Sequence, residues 1–164
     1  MFTFRCTQKL IKRLGLSVIS TPPNPTTKLG DWYGNVLFIK HHRLMMFVSD
    51  RSLLPVIMPI RERQNLLSNF RTRLSILLLQ LEVEERLVSG ELNRMEEAVI
   101  APTASPSVLG SMNDFTQNAK VYFQMHDDFR LLDLELWLAE TPCGPLGYRS
   151  PNQVAPVLLA RGSG

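Results

Sequence analysis

Hydrophobic and polar residues alternate in the first third of the chain with the period of two that half-buried strands show. Two phenylalanines alternate with polar residues over residues 2–5, which predicts a strand. Residues 33–40 and 43–49 are rich in Val, Ile, Phe and Leu, and they predict a β-hairpin with a basic tip. Residues 52–58 predict a third strand. Pro55 places that strand at a sheet edge or at a bulged position, because proline has no N–H to donate.

The hydrophobic period changes to helical spacing over three long segments, residues 61–81, 84–98 and 106–125. A shorter helix over residues 8–14 is predicted between an N-capping threonine and a terminating glycine. A final short helix is predicted after Ser150, where a serine and a proline form a typical helix start. The chain therefore mixes strands and helices throughout its length.

Residues 131–139 show the clearest alternation in the chain, with leucine at every second position, and they predict a strand. Residues 99–102 are either a short apolar link or a further strand. We therefore predict an α+β fold, in which an antiparallel sheet of four to five strands is covered by three or more helices packed mainly on one face. One domain is predicted over residues 1–161, and residues 162–164 are predicted to be a linker or a disordered tail. The proline-containing edge strand offers a surface for a homodimer.

The composition is that of an ordinary folded protein, because 45% of the 164 residues are hydrophobic and 20% are charged. This excludes collagen-like, coiled-coil, disulfide-rich and disordered classes. The charge is uneven. Residues 1–80 carry twelve basic and three acidic side chains, for a net charge of +9, whereas residues 81–164 have a net charge of −6. Either a basic face is directed at an anionic partner, or the two halves lie side by side and neutralise each other.

No apolar stretch approaches the length of a membrane span, so no membrane association is predicted. Cys6 and Cys143 are far apart in sequence, and we expect free thiols in a reducing cytosol. The first thirty residues contain no acid, as in a mitochondrial transit peptide. We prefer the interpretation of a strand followed by an amphipathic helix, and we expect a cytoplasmic protein.

The sequence lacks the motifs of phosphate-binding loops, dinucleotide-binding turns, zinc proteases and serine hydrolases, so no cofactor is predicted. His41 and His42 are adjacent on a predicted strand, so their side chains should point to opposite faces. His126, Asp127 and Asp128 follow a predicted helix, where the helix dipole favours a histidine without any ligand. No metal site is predicted.

Two polar segments are candidate ligand sites. In the first, aromatic side chains beside a carboxylate could hold a ligand, or they could form a turn and enter the core. In the second, a carboxylate with hydroxyl and amide neighbours could act as a general base, although a solvated helix face would look the same. The first set is Asp31, Trp32, Tyr33 and Asn35, and the second is Ser111, Asn113 and Asp114.

A basic set is the third candidate. A helix and a hairpin tip could jointly contact phosphates, although these basic residues are not interleaved with exposed aromatic side chains as in single-strand binders. The set contains Lys9, Lys12, Arg13, Lys40, His41, His42 and Arg43.

Two long sequence blocks carry a resemblance to a known family: Leu-Gly-Asp-Trp-Tyr-Gly-Asn at residues 29–35 and Ser-Val-Leu-Gly-Ser-Met-Asn-Asp-Phe at residues 107–115. Shorter blocks at residues 5–10, 47–50 and 95–97 keep the family's order. With them, roughly residues 1–140 resemble a bacterial family of uncharacterised proteins, a domain of unknown function. The resemblance implies a bacterial cytosolic protein and carries no known activity.

The chain departs from the family pattern at the hairpin tip, where members often carry a basic pair and this chain has His41 and His42. The sequence favours a non-enzymatic binding protein that contacts a protein or nucleic-acid partner through its basic half. The alternative is an enzyme of unrecognised type, whose pocket would lie between Asp31 or Trp32 and Asn113 or Asp114.

Overall fold

The computed structural model describes residues 1–162, which form a five-stranded sheet and six α-helices. The strands are β1 (Phe2–Cys6), β2 (Trp32–Ile39), β3 (His42–Ser49), β4 (Pro55–Pro59) and β5 (Ala98–Pro102). The helices are α1 (Gln8–Leu14), α2 (Leu66–Gln80), α3 (Glu85–Asn93), α4 (Pro106–Met125), α5 (Leu131–Leu138) and α6 (Pro151–Ala160). Residues 163 and 164, in the predicted tail, lie outside the described residues.

The strand order is β4-β3-β2-β1-β5, and the sheet is mixed. β1 pairs in parallel with both β2 and β5, whereas the β2–β3 and β3–β4 pairs are antiparallel. The prediction of an antiparallel sheet is therefore wrong for β1 and β5. The physical reason is the long connection between β1 and β2, which contains α1 and gives the chain room to return and pair in parallel.

The predicted strand at residues 131–139 is also wrong, because this segment is the helix α5. Leu134, Glu135 and Leu138 share its buried face, at the three- and four-residue spacing of a helix. Leu132 and Leu136, four residues apart, pack against the other core cluster of the molecule. Leucine at every second position is therefore compatible with a helix that is apolar on two sides.

The hairpin and the edge strand are confirmed. β2 and β3 pair from Trp32↔Ser49 to Ile39↔His42, and β4 lies at the end of the strand order. α5 packs against β4, and the carboxyl oxygen Oε2 of Glu135 accepts a hydrogen bond from the backbone N–H of Ile57 at 2.7 Å. The edge that the sequence offers as a dimer surface is thus partly occupied by the chain's own helix.

Helices cover both faces of the sheet, so the prediction of helices mainly on one face is wrong. One core cluster joins Phe4, Trp32 and Phe47 of the sheet to Phe70 of α2, and it includes residues of α3 and α6. The other joins alternate residues of β2, β3 and β4 to α4, around Phe115. Because both faces of the sheet are buried, residues 44–48 of β3 and all of β4 are apolar.

The starts of α1, α4 and α6 follow their predicted signals, whereas α2 begins at Leu66 and not at residue 61, because a 3-10 helix occupies Ile60–Asn65. α4 begins at Pro106 and ends at Met125 as predicted, with the Ser105 hydroxyl accepting from the Val108 N–H. Gly15 ends α1 in a left-handed conformation, at a φ of 63°. α3 stops at Asn93, earlier than predicted, because the chain then enters β5. Within residues 1–162, none of the helices has the length and apolar character needed to cross a membrane.

Candidate functional site

Asp31 lies just before β2 and is buried among its own partners. Its Oδ1 accepts from the Thr3 N–H at 2.9 Å, and its Oδ2 lies 3.6 Å from Nε of Arg5. The Asp31 N–H donates to the side chain of Asp50 at 3.1 Å. Burial and the nearby charge of Asp31 raise the pKa of Asp50 to about 6. These contacts join the start of β2 to β1 and to the end of β3.

The neighbours of Asp31 also have structural partners. Trp32 is fully buried against Phe70, and the Tyr33 hydroxyl accepts a hydrogen bond from the Ser105 N–H at the start of α4. Asn35 Oδ1 accepts from the hydroxyl of Thr7, the N-cap of α1, at 2.7 Å. The segment therefore anchors α1 and α4 to β2, and its role as a ligand site stays a prediction.

The second polar set lies on α4 as expected, but its members differ in exposure. Ser111 is buried, whereas Asn113 and Asp114 are exposed. Burial raises the pKa of the Cys143 thiol, and the negative charge of Asp114 raises it further. Asp31 is therefore buried and partnered, whereas Asp114 is exposed on α4, and their joint role as a ligand or catalytic site stays a prediction.

The basic residues of α1 and the hairpin meet at Phe38 of β2. The guanidinium carbon of Arg13 lies 5.2 Å from the Phe38 ring centroid, and that of Arg43 lies 5.1 Å from it. Phe38 is 38% exposed. We name this surface the basic ridge, and its residues are Lys9, Lys12, Arg13, Phe38 and Arg43. An exposed aromatic side chain therefore does stand among the basic residues, contrary to the expectation from sequence.

The hairpin turn consists of Lys40 and His41, between the paired residues Ile39 and His42. Lys40 has a φ of 54°, a left-handed conformation that two-residue hairpins require but that costs a non-glycine residue about 1–2 kcal/mol. The rings of His41 and His42 lie 4.3 Å apart. The prediction that they point to opposite faces is wrong, because His41 is in the turn and not in the strand.

A groove of about 570 Å³ opens beside this turn, and we name it the tip groove. One wall comes from the hairpin and the segment after β4, and it carries Lys40, Arg43 and Arg61. The connection between α4 and α5 also contributes to the lining, with Asp127 and Asp128. All three histidines of the chain line the groove.

Aromatic rings form the floor of the tip groove. The ring centroids of His42 and Phe123 are 4.8 Å apart, and those of Phe123 and Phe129 are also 4.8 Å apart. Burial, followed by the positive charges of His41 and Lys40, lowers the pKa of His42. The His42 ring therefore stays neutral to a lower pH than an ordinary histidine.

His126 has a fixed orientation at the end of α4. Its ring stacks on Tyr122 with centroids 4.0 Å apart, and its Nδ1 lies 3.1 Å from the Tyr122 carbonyl oxygen. Because a carbonyl can only accept, Nδ1 carries the hydrogen. Nε2 is then an acceptor when the ring is neutral and a donor when it is charged. Within residues 1–162, no group of three or more His, Cys, Asp or Glu side chains is arranged to hold a metal ion.

The family model described as domain of unknown function DUF6933 matches residues 3–154. The chain belongs to this family. The DUF6933 match includes both long sequence blocks, the basic ridge and the tip groove. No curated protein and no solved structure matches the chain. The family description assigns no activity, and the function of the chain is unknown.

Within the DUF6933 match, sequence reasoning found the basic set but missed the groove beside it. Arg61, Phe123 and Phe129 were not singled out, because they come from segments that only the tertiary fold brings to the hairpin tip. A signal existed for His126, Asp127 and Asp128, which were noted together at a helix end. Phe38 lies within a predicted strand, and the sequence pattern does not indicate that its side chain is exposed.

Proposed function

We propose that this DUF6933 protein binds a nucleic acid through the basic ridge. The observation that carries the proposal is the position of Phe38, which holds guanidinium groups of α1 and β3 over one ring. Cation–π contacts of this kind contribute about 0.5–1 kcal/mol at exposed sites. Because the ring already restricts the two arginine side chains, they lose less conformational entropy when they bind a phosphate.

The charge distribution supports an anionic partner. The described ion pairs each join residues of the same half of the chain, such as Arg73 with Glu62 and Arg130 with Asp133. Among residues 1–162, no described ion pair joins the acidic half to the basic half. Lys9, Lys12 and Arg13 are exposed on α1, where they remain available to phosphates.

The anchoring of α1 explains how a small helix presents these charges. The Thr7–Asn35 hydrogen bond fixes the N-terminus of α1 to β2, and Leu10 is fully buried beneath it. Arginine planes next to an exposed ring suit the stacked bases of a single strand better than the closed grooves of a duplex. We therefore favour a single-stranded nucleic acid over an acidic protein surface as the partner.

The alternative function, an enzyme with Asp31 and Asp114, has less support. Asp31 uses both carboxylate oxygens within the protein, and neither residue lines the tip groove. A homodimer through β4 is likewise less favoured, because α5 packs on that edge. The resemblance and the two buried free cysteines, Cys6 and Cys143, support a bacterial cytoplasmic setting.

The test is a paired charge reversal measured by fluorescence anisotropy with a labelled single-stranded oligonucleotide. Lys9→Glu with Lys12→Glu should weaken binding and reduce the log–log salt slope by about 1.4, since each phosphate contact on a single strand contributes about 0.7. Lys120→Glu with Arg149→Glu changes the net charge equally at exposed positions outside the ridge, and should change binding little. Equal losses in both variants, or no binding by the wild type, would refute the proposal.

A further inference from the structure

The tip groove has three chemical zones, and it shares only Arg43 with the basic ridge. The first is a cationic wall with Lys40, Arg43 and Arg61. Arg61 is exposed, and it forms none of the described ion pairs. Its guanidinium can donate two parallel hydrogen bonds to the oxygens of one phosphate.

The second zone is the aromatic floor. Phe123 is nearly buried, with His42 on one side and Phe129 on the other. Leu44 and Leu131 extend the apolar lining. Inorganic phosphate alone would leave this floor uncovered. The floor therefore indicates a ligand with an apolar or aromatic body.

The third zone is acidic. Asp127 and Asp128 are exposed in the groove lining, and we name them its acidic wall. Carboxylates only accept hydrogen bonds at neutral pH, so these side chains match a ligand with donors such as hydroxyl or amino groups. A fatty acid or a simple aromatic acid offers no such donors. The groove volume of about 570 Å³ lies within the usual range of about 300–1,000 Å³ for small-molecule sites.

We infer that the tip groove binds a nucleoside monophosphate, with the phosphate on the cationic wall, the base on the aromatic floor and its sugar or amino donors at the acidic wall. Such a group is available either as a free nucleotide or as the phosphorylated end of a strand. Lys40 brings a further positive charge to the groove from the hairpin turn.

The inference goes beyond the proposed function, because Arg61, Phe123 and His126 lie outside the basic ridge. Isothermal titration with adenosine, guanosine, cytidine and uridine 5′-monophosphates tests it directly. Inorganic phosphate and the four nucleosides are the comparison ligands. At least one monophosphate should bind at least about tenfold more tightly than its nucleoside, as expected for a charge-assisted hydrogen bond of about 1.5–3 kcal/mol.

Arg61→Ala should weaken monophosphate binding about tenfold, because it removes a phosphate donor that has no described ion-pair partner to lose. Lys120→Ala, an exposed cation on α4 outside the groove lining, is the matched control and should bind as the wild type does. Asp127→Asn with Asp128→Asn should change the preference among the four bases. Thermal unfolding of each variant shows whether the fold is retained.

Oligonucleotides with and without a 5′-phosphate separate the two ligand sources and the two proposals. If the strand end is the ligand, the 5′-phosphate should improve binding and Arg61→Ala should abolish that improvement. If only the basic ridge binds the oligonucleotide, the affinity will depend neither on the 5′-phosphate nor on Arg61. Absence of saturable binding for all four monophosphates at millimolar concentration, or wild-type affinity in Arg61→Ala, overturns the inference whatever the ridge does.

Discussion

The carboxyl oxygen Oε2 of Glu135 in α5 accepts a hydrogen bond from the backbone N–H of Ile57 in β4, over a donor–acceptor distance of 2.7 Å. Edge strands expose unpaired N–H groups that invite pairing with other chains. Here a buried side chain satisfies one of them, and the helix around it packs over the edge. Glu135 lies in the apolar face of α5, where burial raises its pKa to about 8.

This raised pKa predicts that stability depends on pH through Glu135. The folded protein holds the proton up to about pH 8, whereas an unfolded chain releases it near 4.5. The favourable contribution is complete below pH 4.5 and is lost as the pH rises to about 8, at about 1.4 kcal/mol per pH unit at most. Glu135→Gln should remove this part of the pH dependence, which urea unfolding at pH 5, 6.5 and 8 measures.

Glu135→Leu serves as the matched control. It also removes the titration, but it leaves the Ile57 N–H without its acceptor. It should therefore be less stable than Glu135→Gln by about 1–3 kcal/mol at every pH. If wild type and Glu135→Gln lose stability in parallel as the pH rises, Glu135 is not the titrating group.

We expect a side chain at position 34 in β2, in place of Gly34, to clash with its neighbours. A Cβ atom there would lie 2.4 Å from the Phe47 ring and 2.9 Å from a methyl carbon of Leu10. Gly34→Ala should destabilise the protein by about 1–3 kcal/mol, because it overpacks the contact between α1 and the sheet. Gly110→Ala is the control, since nothing lies within 4 Å of its Cβ position in α4, and it should stabilise by about 0.5–1 kcal/mol. Urea unfolding of both variants checks the opposite signs.

We expect replacement of Lys40 by glycine to raise the stability of the fold and to weaken ligand binding. Lys40→Gly relieves the left-handed strain and should raise the free energy of unfolding by about 1 kcal/mol. The same change removes a positive charge from the rim of the tip groove and should weaken binding of a nucleoside monophosphate. Thermal unfolding and titration calorimetry measure the two effects. A variant that is both more stable and equally tight in binding would show that Lys40 does not contact the ligand.

We expect the pKa of His42 to be lowered in the protein without ligand. Its pKa should lie below the usual value near 6.5, because it is partly desolvated and faces His41 and Lys40. Arg43, Arg61, His126, Asp127 and Asp128 also line the groove around it. His41→Gln should raise the pKa of His42 by removing one positive neighbour, whereas Lys120→Gln, away from the groove lining, should not. NMR titration of the ring Cε1–H reports this, and an unchanged His42 pKa in His41→Gln would contradict the geometry.

The sequence predicted those elements whose local signals agree with the tertiary structure. α4 has the expected bounds because Ser105 and Pro106 define its start, and the β2–β3 hairpin follows its hydrophobic runs. α5 was mistaken because its leucines match both a strand and a two-sided helix. The parallel direction of β1 was missed, although a strand, a helix and a long connection before β2 are a known signal for it.

The candidate site was predicted only in part. The basic residues fall in two short stretches, residues 9–13 and 40–43, so each cluster of charge is visible without a structure. The partnership of Arg13 and Arg43 through Phe38 depends on how α1 packs against the sheet. The groove joins segments from about residue 40 to residue 131, and no periodicity links such distant positions. Asp31 could not be recognised as an internal anchor until its partners Thr3 and Arg5 were placed.

The central position of β1 sets the order in which this protein can acquire its structure. Phe4 is bonded on one side to the strand that contains Trp32 and on the other to the strand that contains Ile100. Such pairings between residues distant in sequence have a high contact order, which slows folding. The β2–β3 pairing is local in sequence, whereas the β1–β5 pairing joins residues almost a hundred positions apart. We therefore expect the hairpin to form before β5 completes the sheet.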